Sequence, residues 1–274
     1  MLRFLGMSRF GYRSFLNRKL SSTIQRKETI KKKIRLIYDA SKQNYGDPKI
    51  TKELQKLGET IAERTVGKYM REMGIKAQWI KPFTTTTGGS DFSTELTNIL
   101  VQRFNPERLN AVLCTDITYV WTQNGFVYLN CVMDLFVRKI IAWTLSNTME
   151  VSNVVATINK AKAYRNIEQP LIIHSDRGSQ YVSNAWREAT KTMQRSYSRC
   201  AYPYDNACIK SFHSLIKREW LSRFSIQNYS HAYRPVFEYI EAFYNTVRTH
   251  SHCNYLSTDE FKKIYNKANV LPAS

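Results

Sequence analysis

Thr115-Asp116-Ile117-Thr118-Tyr119 lies inside the apolar run Ala111–Val120, and His174-Ser175-Asp176-Arg177-Gly178-Ser179-Gln180-Tyr181 continues a second run, Leu171-Ile172-Ile173. The reading of these two stretches decides the fold. Ala111–Val120 is apolar at both odd and even positions, the pattern of a central strand covered on both faces. Its single carboxylate is Asp116. An unpaired carboxylate is costly to bury, so Asp116 must be paired, capped or metal-bound. Asp176 falls where the second run ends, the usual place for a functional side chain in an α/β sheet; a helix N-cap is the plainer reading. Two aspartates on strands of one sheet suit a metal-dependent phosphoryl-transfer site, which needs hard oxygen ligands on short, well-fixed stems.

Next along the chain, Asn124-Gly125 predicts a hairpin turn leading into a strand over Phe126–Leu135, with a third strand over Arg138–Leu145. Val151, Val154, Val155, Ile158 and Ala161 mark a helix, and Tyr181–Thr192 reads as another. The order is three antiparallel strands, then helix, strand, helix. A further helix begins at Asp205, with Ile209, Phe212 and Ile216 as its apolar stripe. Tyr233, Val236, Phe237, Ile240 and Phe243 form a core stripe in the last part of the chain.

The front of the chain differs. The formal net charge is +19 over 274 residues, and residues 1–82 carry 20 Lys and Arg against 7 Asp and Glu, a net of +13. Such a balance favours a polyanionic partner, nucleic acid before membrane. Ile30, Ile34, Ile37 and Tyr38 predict a helix over 28–40. Lys49–Leu57 gives a second, ended by Gly58, and a third starts at Thr60 or Ala62 and stops at Gly74. Two short helices joined through a glycine turn have helix-turn-helix proportions. Arg64, Lys68 and Arg71 lie on the polar side of the third helix, spaced to reach phosphates or base edges; a small bundle with a solvated basic face is the alternative. The polar run Thr84–Ser90 predicts a linker, continued by a connector over 91–109. The expected domains are 1–83, a linker over 84–109, and 110–268. The five cysteines show no C-x-x-C spacing, no zinc pattern, and suit a reducing compartment. No apolar stretch approaches the roughly 20 residues of a membrane span.

In order along the chain stand T-D-I-T-Y, G-x-x-Y-L-x-x-V-x-D-L, H-S-D-R-G-S-Q-Y, Y-D-N-A, S-F-x-S-L-I-K and Tyr244-Asn245-Thr246-Val247-Arg248-Thr249-His250. This series resembles the OrfB-type transposases of insertion sequence family three, relatives of retroviral integrases, and the likeness covers nearly the whole chain. The resemblance implies an α/β fold with a ribonuclease H-like mixed sheet and flanking helices, preceded by an all-α helix-turn-helix region. It implies Mg²⁺ or Mn²⁺ as cofactor, and strand cleavage and joining at transposon ends. Asp116 and Asp176 match the first two catalytic and metal-ligating acids. The family's third acid lies in D-N-A-x-x-E-S-F; this chain reads D-N-A-C-I-K-S-F, so Lys210 takes the third catalytic position in degenerate form. Leu113 and Thr258 stand where the family often has Trp and Pro.

A lysine has three donors and no acceptor and cannot ligate a cation while protonated. Glu219 is nine residues further on, roughly half a turn away on the opposite face; Asp205 is expected to cap the helix; Asn206 and His213 could ligate only weakly. Lys210 could instead pair with Asp116 or Asp176. Further DNA contacts are expected at Lys217, Arg248 and His250, with a solvated helix end as the plainer reading of the last two. The implied partners are double-stranded DNA at transposon ends, further copies of the chain on that DNA, and a protein from an upstream frame; the implied setting is the cytoplasm, with the nucleoid. The expectation is thus a transposase-type protein impaired in catalysis. The alternative is a domesticated DNA-binding or regulatory protein without recombinase activity.

Overall fold

Alternation along one long strand organises the second part of the molecule. In β1 (Val112–Thr122), Leu113 packs to one side of the sheet and Cys114 and Val120 to the other. The computed structural model describes residues 6, 8–17, 21–78, 96–165, 171–200 and 202–270, which fall into two compact units, Met1–Ala77 and Gln78–Ser274. The sequence-predicted linker Thr84–Ser90 lies outside the described residues.

In the first unit, α1 (Arg9–Leu16) has no buried residue, and α2 (Ser22–Ala40), α3 (Asp47–Lys56) and α4 (Glu63–Glu72) form a three-helix core. Ile30, Ile34 and Tyr38 recur at every fourth position of α2 and meet Ile50, Leu54, Val66 and Met70. The turn between α3 and α4 places Gly58 at φ 81°, a left-handed conformation that glycine adopts without a Cβ clash. Glu72 at the end of α4 binds Lys27 and Lys31 of α2 at 2.7 and 3.0 Å. Those two lysines hold its carboxyl down at about 2.

In the second unit, β1 pairs antiparallel with β2 (Gly125–Asp134), and β2 with β3 (Lys139–Ser146). The α5 helix (Val151–Tyr164) then crosses to β4 (Ile172–Ser175), which lies parallel to β1 and to β5 (Gln194–Tyr197). The mixed sheet runs β3-β2-β1-β4-β5. One face packs Val154, Ile158 and Trp186 from α5 and α7 (Asn184–Ala189); the other packs Ile209, Phe212 and Ile216 of α8 (Ala207–Glu219) and Val236 of α9 (Tyr229–Phe237). A π-helical segment, Glu238–Tyr244, and α10 (Thr258–Val270) follow.

Two local readings are corrected, and one strand has no counterpart in the sequence reading. The hairpin turn residues are Gln123 and Asn124, and the positive φ of 108° falls on Gly125, the first residue of β2. The helix expected over Tyr181–Thr192 is two, α6 (Ser179–Val182) and α7, because Ser183 is extended and its hydroxyl caps α7 at Trp186 N. The four-residue β5 gives no periodic signal in sequence, since two of its residues are Gln194 and Arg195. The described part of the connector, from Leu96, lies against the sheet: Tyr197 N donates to Thr97 O, and the amides of Ile99 and Leu100 donate to Ser196 Oγ.

Candidate active site and DNA-binding face

Asp116 sits in the middle of β1, opposite Cys131 of β2, and is 4% exposed. Its side chain shares the α8 side of the sheet with Cys114 and Val120. Lys210 Nζ donates to its Oδ2 at 3.2 Å, and His213 Nδ1 stands 3.6 Å from the same oxygen. Lys210 and His213 are three residues apart on α8, hence on one face, and the apolar stripe of that helix fixes their aim. Asn206, just before α8, donates to Thr115 O and ties the start of the helix to β1.

Asp176 follows β4 and is half-buried. Its Oδ1 accepts the Gly178 amide at 2.9 Å, so it closes a turn and does not cap a helix. Burial, then the nearby Asp116 charge, raises its carboxyl to about 6. The two aspartates thus titrate in opposite directions. Burial also pushes Asp116 up, but His213 and Lys210 outweigh it and hold that carboxyl below its ordinary value. Burial keeps His213 below the usual histidine range despite Asp116, so it is uncharged at neutral pH. Lys210 is desolvated, yet Asp116 raises it, so it stays a cation.

The structure brings Asp116, Asp176 and Lys210 together, and among the described residues it supplies no third carboxylate. Glu219 is fully engaged elsewhere: Arg248 Nε and NH2 donate to its two oxygens at 2.7 Å each, and Tyr239 Oη donates at 2.8 Å. Asp205, expected to cap α8, instead accepts from Asn98, from Gln102 and from the Arg199 amide and guanidinium, which straps the connector to the core. Among the described residues, no group of three His, Cys, Asp or Glu could hold a metal ion. A two-metal centre of Mg²⁺ or Mn²⁺ needs several oxygen ligands; with an ammonium bonded to Asp116, the residues present do not fit one.

Arg248 is a correction. Only 6% exposed, it forms a buried bidentate pair with Glu219 and is not offered to DNA. His250 is half-buried, edge-on to Tyr244 with ring centroids 4.8 Å apart, and 3.5 Å from Arg248 NH1. Lys217 is exposed on α8, two turns beyond Lys210. In the first unit Arg64, Lys68 and Arg71 are all exposed, on the side of α4 away from buried Val66 and Met70.

Sequence reasoning missed the polar cluster beneath the site. Tyr181 Oη donates to Asn130 Oδ1 at 3.1 Å and contacts Thr115 Oγ1 at 3.2 Å. The available signal was Thr115 and Asn130, polar residues inside apolar strand runs.

A three-helix basic unit and a mixed sheet with one aspartate on its central strand and another just past the end of the neighbouring strand define an integrase-core protein with a helix-turn-helix-like unit. Residues 106–203 and 191–257 match integrase core domain families, and 25–83 match an HTH-like domain family. The transposase for insertion sequence element IS904 of Lactococcus lactis is 33% identical, covering 92% of this chain and 100% of that protein. Transposase InsF for insertion sequence IS3A of Escherichia coli is 30% identical, covering 96% of this chain and 92% of InsF. Among solved structures, the catalytic core domain of BIV integrase is similar with a TM-score of 0.44 at 11% identity, covering 59% of this chain and 99% of that one. The chain belongs to the IS3-type insertion-sequence transposases.

Proposed function

We propose that this transposase binds transposon-end DNA through its first unit, as a homo-oligomer on that DNA, and is impaired in strand cleavage and joining. The observation that carries the reading is the Lys210 ammonium on Asp116 Oδ2 at 3.2 Å. It supplies charge compensation where the family resemblance expects an acid and a divalent cation. A cation entering beside it would meet repulsion of about 4 kcal/mol per unit charge at about 4 Å and an effective dielectric of about 20. Arg64, Lys68, Arg71 and Lys217 are the proposed phosphate and base contacts, with His250 at the margin of the core. The same ion pair also favours the second reading, a domesticated DNA-binding or regulatory protein. The two readings separate on whether the DNA bound is a transposon end.

The test is Mn²⁺ calorimetry and oligonucleotide nicking with wild type, Lys210→Glu, and Lys210→Glu combined with Asp116→Asn. Wild type is expected to bind Mn²⁺ weakly and not to nick. Lys210→Glu should bind at least about tenfold more tightly, since removing even about 1.4 kcal/mol of repulsion has that effect, and the added Asp116→Asn should abolish the gain. Tight binding at two sites in wild type would overturn the reading.

A further inference from the structure

Two motifs hold residues that the carboxylate site itself does not use: His174 and Arg177 around Asp176, and Asp205 ahead of α8. All three are bonded, directly or through one serine, to the same stretch of the connector, residues 96–102. Arg177 Nε donates to Ser198 O at 2.9 Å, and its NH2 donates to Leu96 O at 3.1 Å. His174 is fully buried between two hydroxyls, with Ser196 Oγ 2.9 Å from Nδ1 and Ser198 Oγ 3.1 Å from Nε2. Ser196 Oγ already accepts the Ile99 and Leu100 amides, which fill its two acceptor sites. Its hydrogen is therefore left to donate to Nδ1, and Nε2–H donates to Ser198 Oγ. One path of hydrogen bonds thus runs from the connector amides through Ser196 and His174 to Ser198. The Ser198 carbonyl accepts from Arg177, and its amide donates to Ser175 O.

Asp205 closes the other side. Fully buried and two residues before α8, it accepts Asn98 Nδ2 at 2.9 Å and Gln102 Nε2 at 3.0 Å. Val101 and Gln102 both take left-handed backbone, at φ 44° and 58°. A β-branched residue holds that conformation only where its surroundings enforce it. Here Val101 N donates to Asn98 Oδ1, and Gln102 is fastened to Asp205.

We propose that residues 96–102 are a clasp that sets the placement of Asp176 against residue 210 from outside the site, with Arg177 and Asp205 as its positioning residues. The inference rests on the reading above of Asp116, Asp176 and Lys210 as one site, and deepens it. Three observations carry it. The same seven residues grip both the loop that carries Asp176 and the turn that opens α8. The stripe of Ile209, Phe212 and Ile216 fixes how α8 is rotated, but the place where the helix starts is tied by Asp205 to the connector and by Asn206 to Thr115 O; Lys210 is the fourth residue of that helix. Arg177, finally, is a cation next to a carboxylate site, yet two arms of its guanidinium are committed to main-chain carbonyls from distant parts of the chain. That is the work of a rigid fork, which a lysine cannot reproduce.

The test is hydrogen exchange on the full chain, wild type against Asn98→Ala with Gln102→Ala, two residues that stand outside the carboxylate site. Exchange of the Gly178 amide, which Asp176 Oδ1 holds, and of the Lys210 and Ser211 amides of α8 should quicken by about 10- to 100-fold, the worth of one hydrogen bond to a charged group. The amides of β1 and β2 should keep their rates. Arg177→Lys should quicken Gly178 alike, because it keeps the charge and loses the fork. Arg177→Met should leave the slope of log duplex affinity against log salt unchanged, where a phosphate contact would lower it by about one. In the Lys210→Glu chain, the double change or Arg177→Lys should weaken Mn²⁺ binding by roughly 10- to 100-fold. Unchanged exchange at Gly178 and Ser211, a uniform rise across the whole core, undiminished Mn²⁺ affinity, or a lower salt slope for Arg177→Met would overturn the clasp. If Lys210→Glu by itself gains no Mn²⁺ affinity, the impaired-transposase reading falls, while the exchange rates still decide the clasp.

Discussion

The basic residues of α4 and Lys210 of α8 make opposite use of the same chemistry. On α4, Arg64, Lys68 and Arg71 point to solvent. The acid that follows them in sequence, Glu72, is occupied by Lys27 and Lys31. On α8, Lys210 is turned toward a buried carboxylate, and Glu219 at the end of the helix is closed over by Arg248. Charge count alone would mark both regions as DNA-binding. The difference lies in the partners: a cation bonded to a buried acid stabilises the protein, and one without such a partner is open to phosphate.

The largest effect should come from breaking the buried pair. Arg248→Met leaves Glu219 with an uncompensated charge in the core, so unfolding in urea should show a loss of about 3–5 kcal/mol. Duplex binding at a temperature where the variant stays folded should not change. A large loss of DNA affinity with unchanged stability would reverse the assignment of Arg248.

Replacing Arg64, Lys68 and Arg71 together by alanine should do the converse. Stability should hold, while the slope of log affinity against log salt should fall by about 2–3, close to one for each phosphate no longer neutralised. Anisotropy titrations across a salt series measure this. An unchanged slope would move the DNA face off α4.

The smallest effect separates the two aspartates by pH. Asp176 has its folded value raised to about 6 from an ordinary 3.8, so it binds protons more readily folded than unfolded. Its contribution to stability therefore falls as pH rises from about 4 to about 6 and stays flat above. Asp116, held low, contributes stability present above its unfolded value and lost as pH falls through the lower folded one. Asp176→Asn should raise stability at pH 7 by about 1–2 kcal/mol, and a denaturation series against pH would show the upper step removed. Lower stability for that variant at pH 7 would mean that its bond to the Gly178 amide outweighs its burial.

Much of this was legible along the chain because it is local. The parity of Ala111–Val120, the four-residue spacing in α2 and the glycine after α3 are decided within a few residues. Asp116 and Asp176 stand out because each falls in, or at the end of, a short apolar run, whereas the place of Lys210 came from the resemblance of D-N-A-C-I-K-S-F to the family's motif. What escaped is non-local. Nothing near Arg248 announces that Glu219, 29 residues earlier, will meet it. Asp205 looks like a cap because its own neighbours start a helix; its partners Asn98 and Gln102 come from the connector, more than a hundred residues before it. Short β5 lacks the length for a period, and the break at Ser183 depends on a hydroxyl that reads equally well inside a helix.

The position of Lys210 on α8 has a genetic consequence. Ile209, Phe212 and Ile216 hold the helix in place and are fully or nearly fully buried, so the orientation of residue 210 does not depend on what stands there. Both lysine codons differ from a glutamate codon by a single A-to-G transition at the first base. Lysine and glutamate at this place are therefore separated by one base change that the packing does not oppose, and a population of element copies could pass between the two residues in either direction.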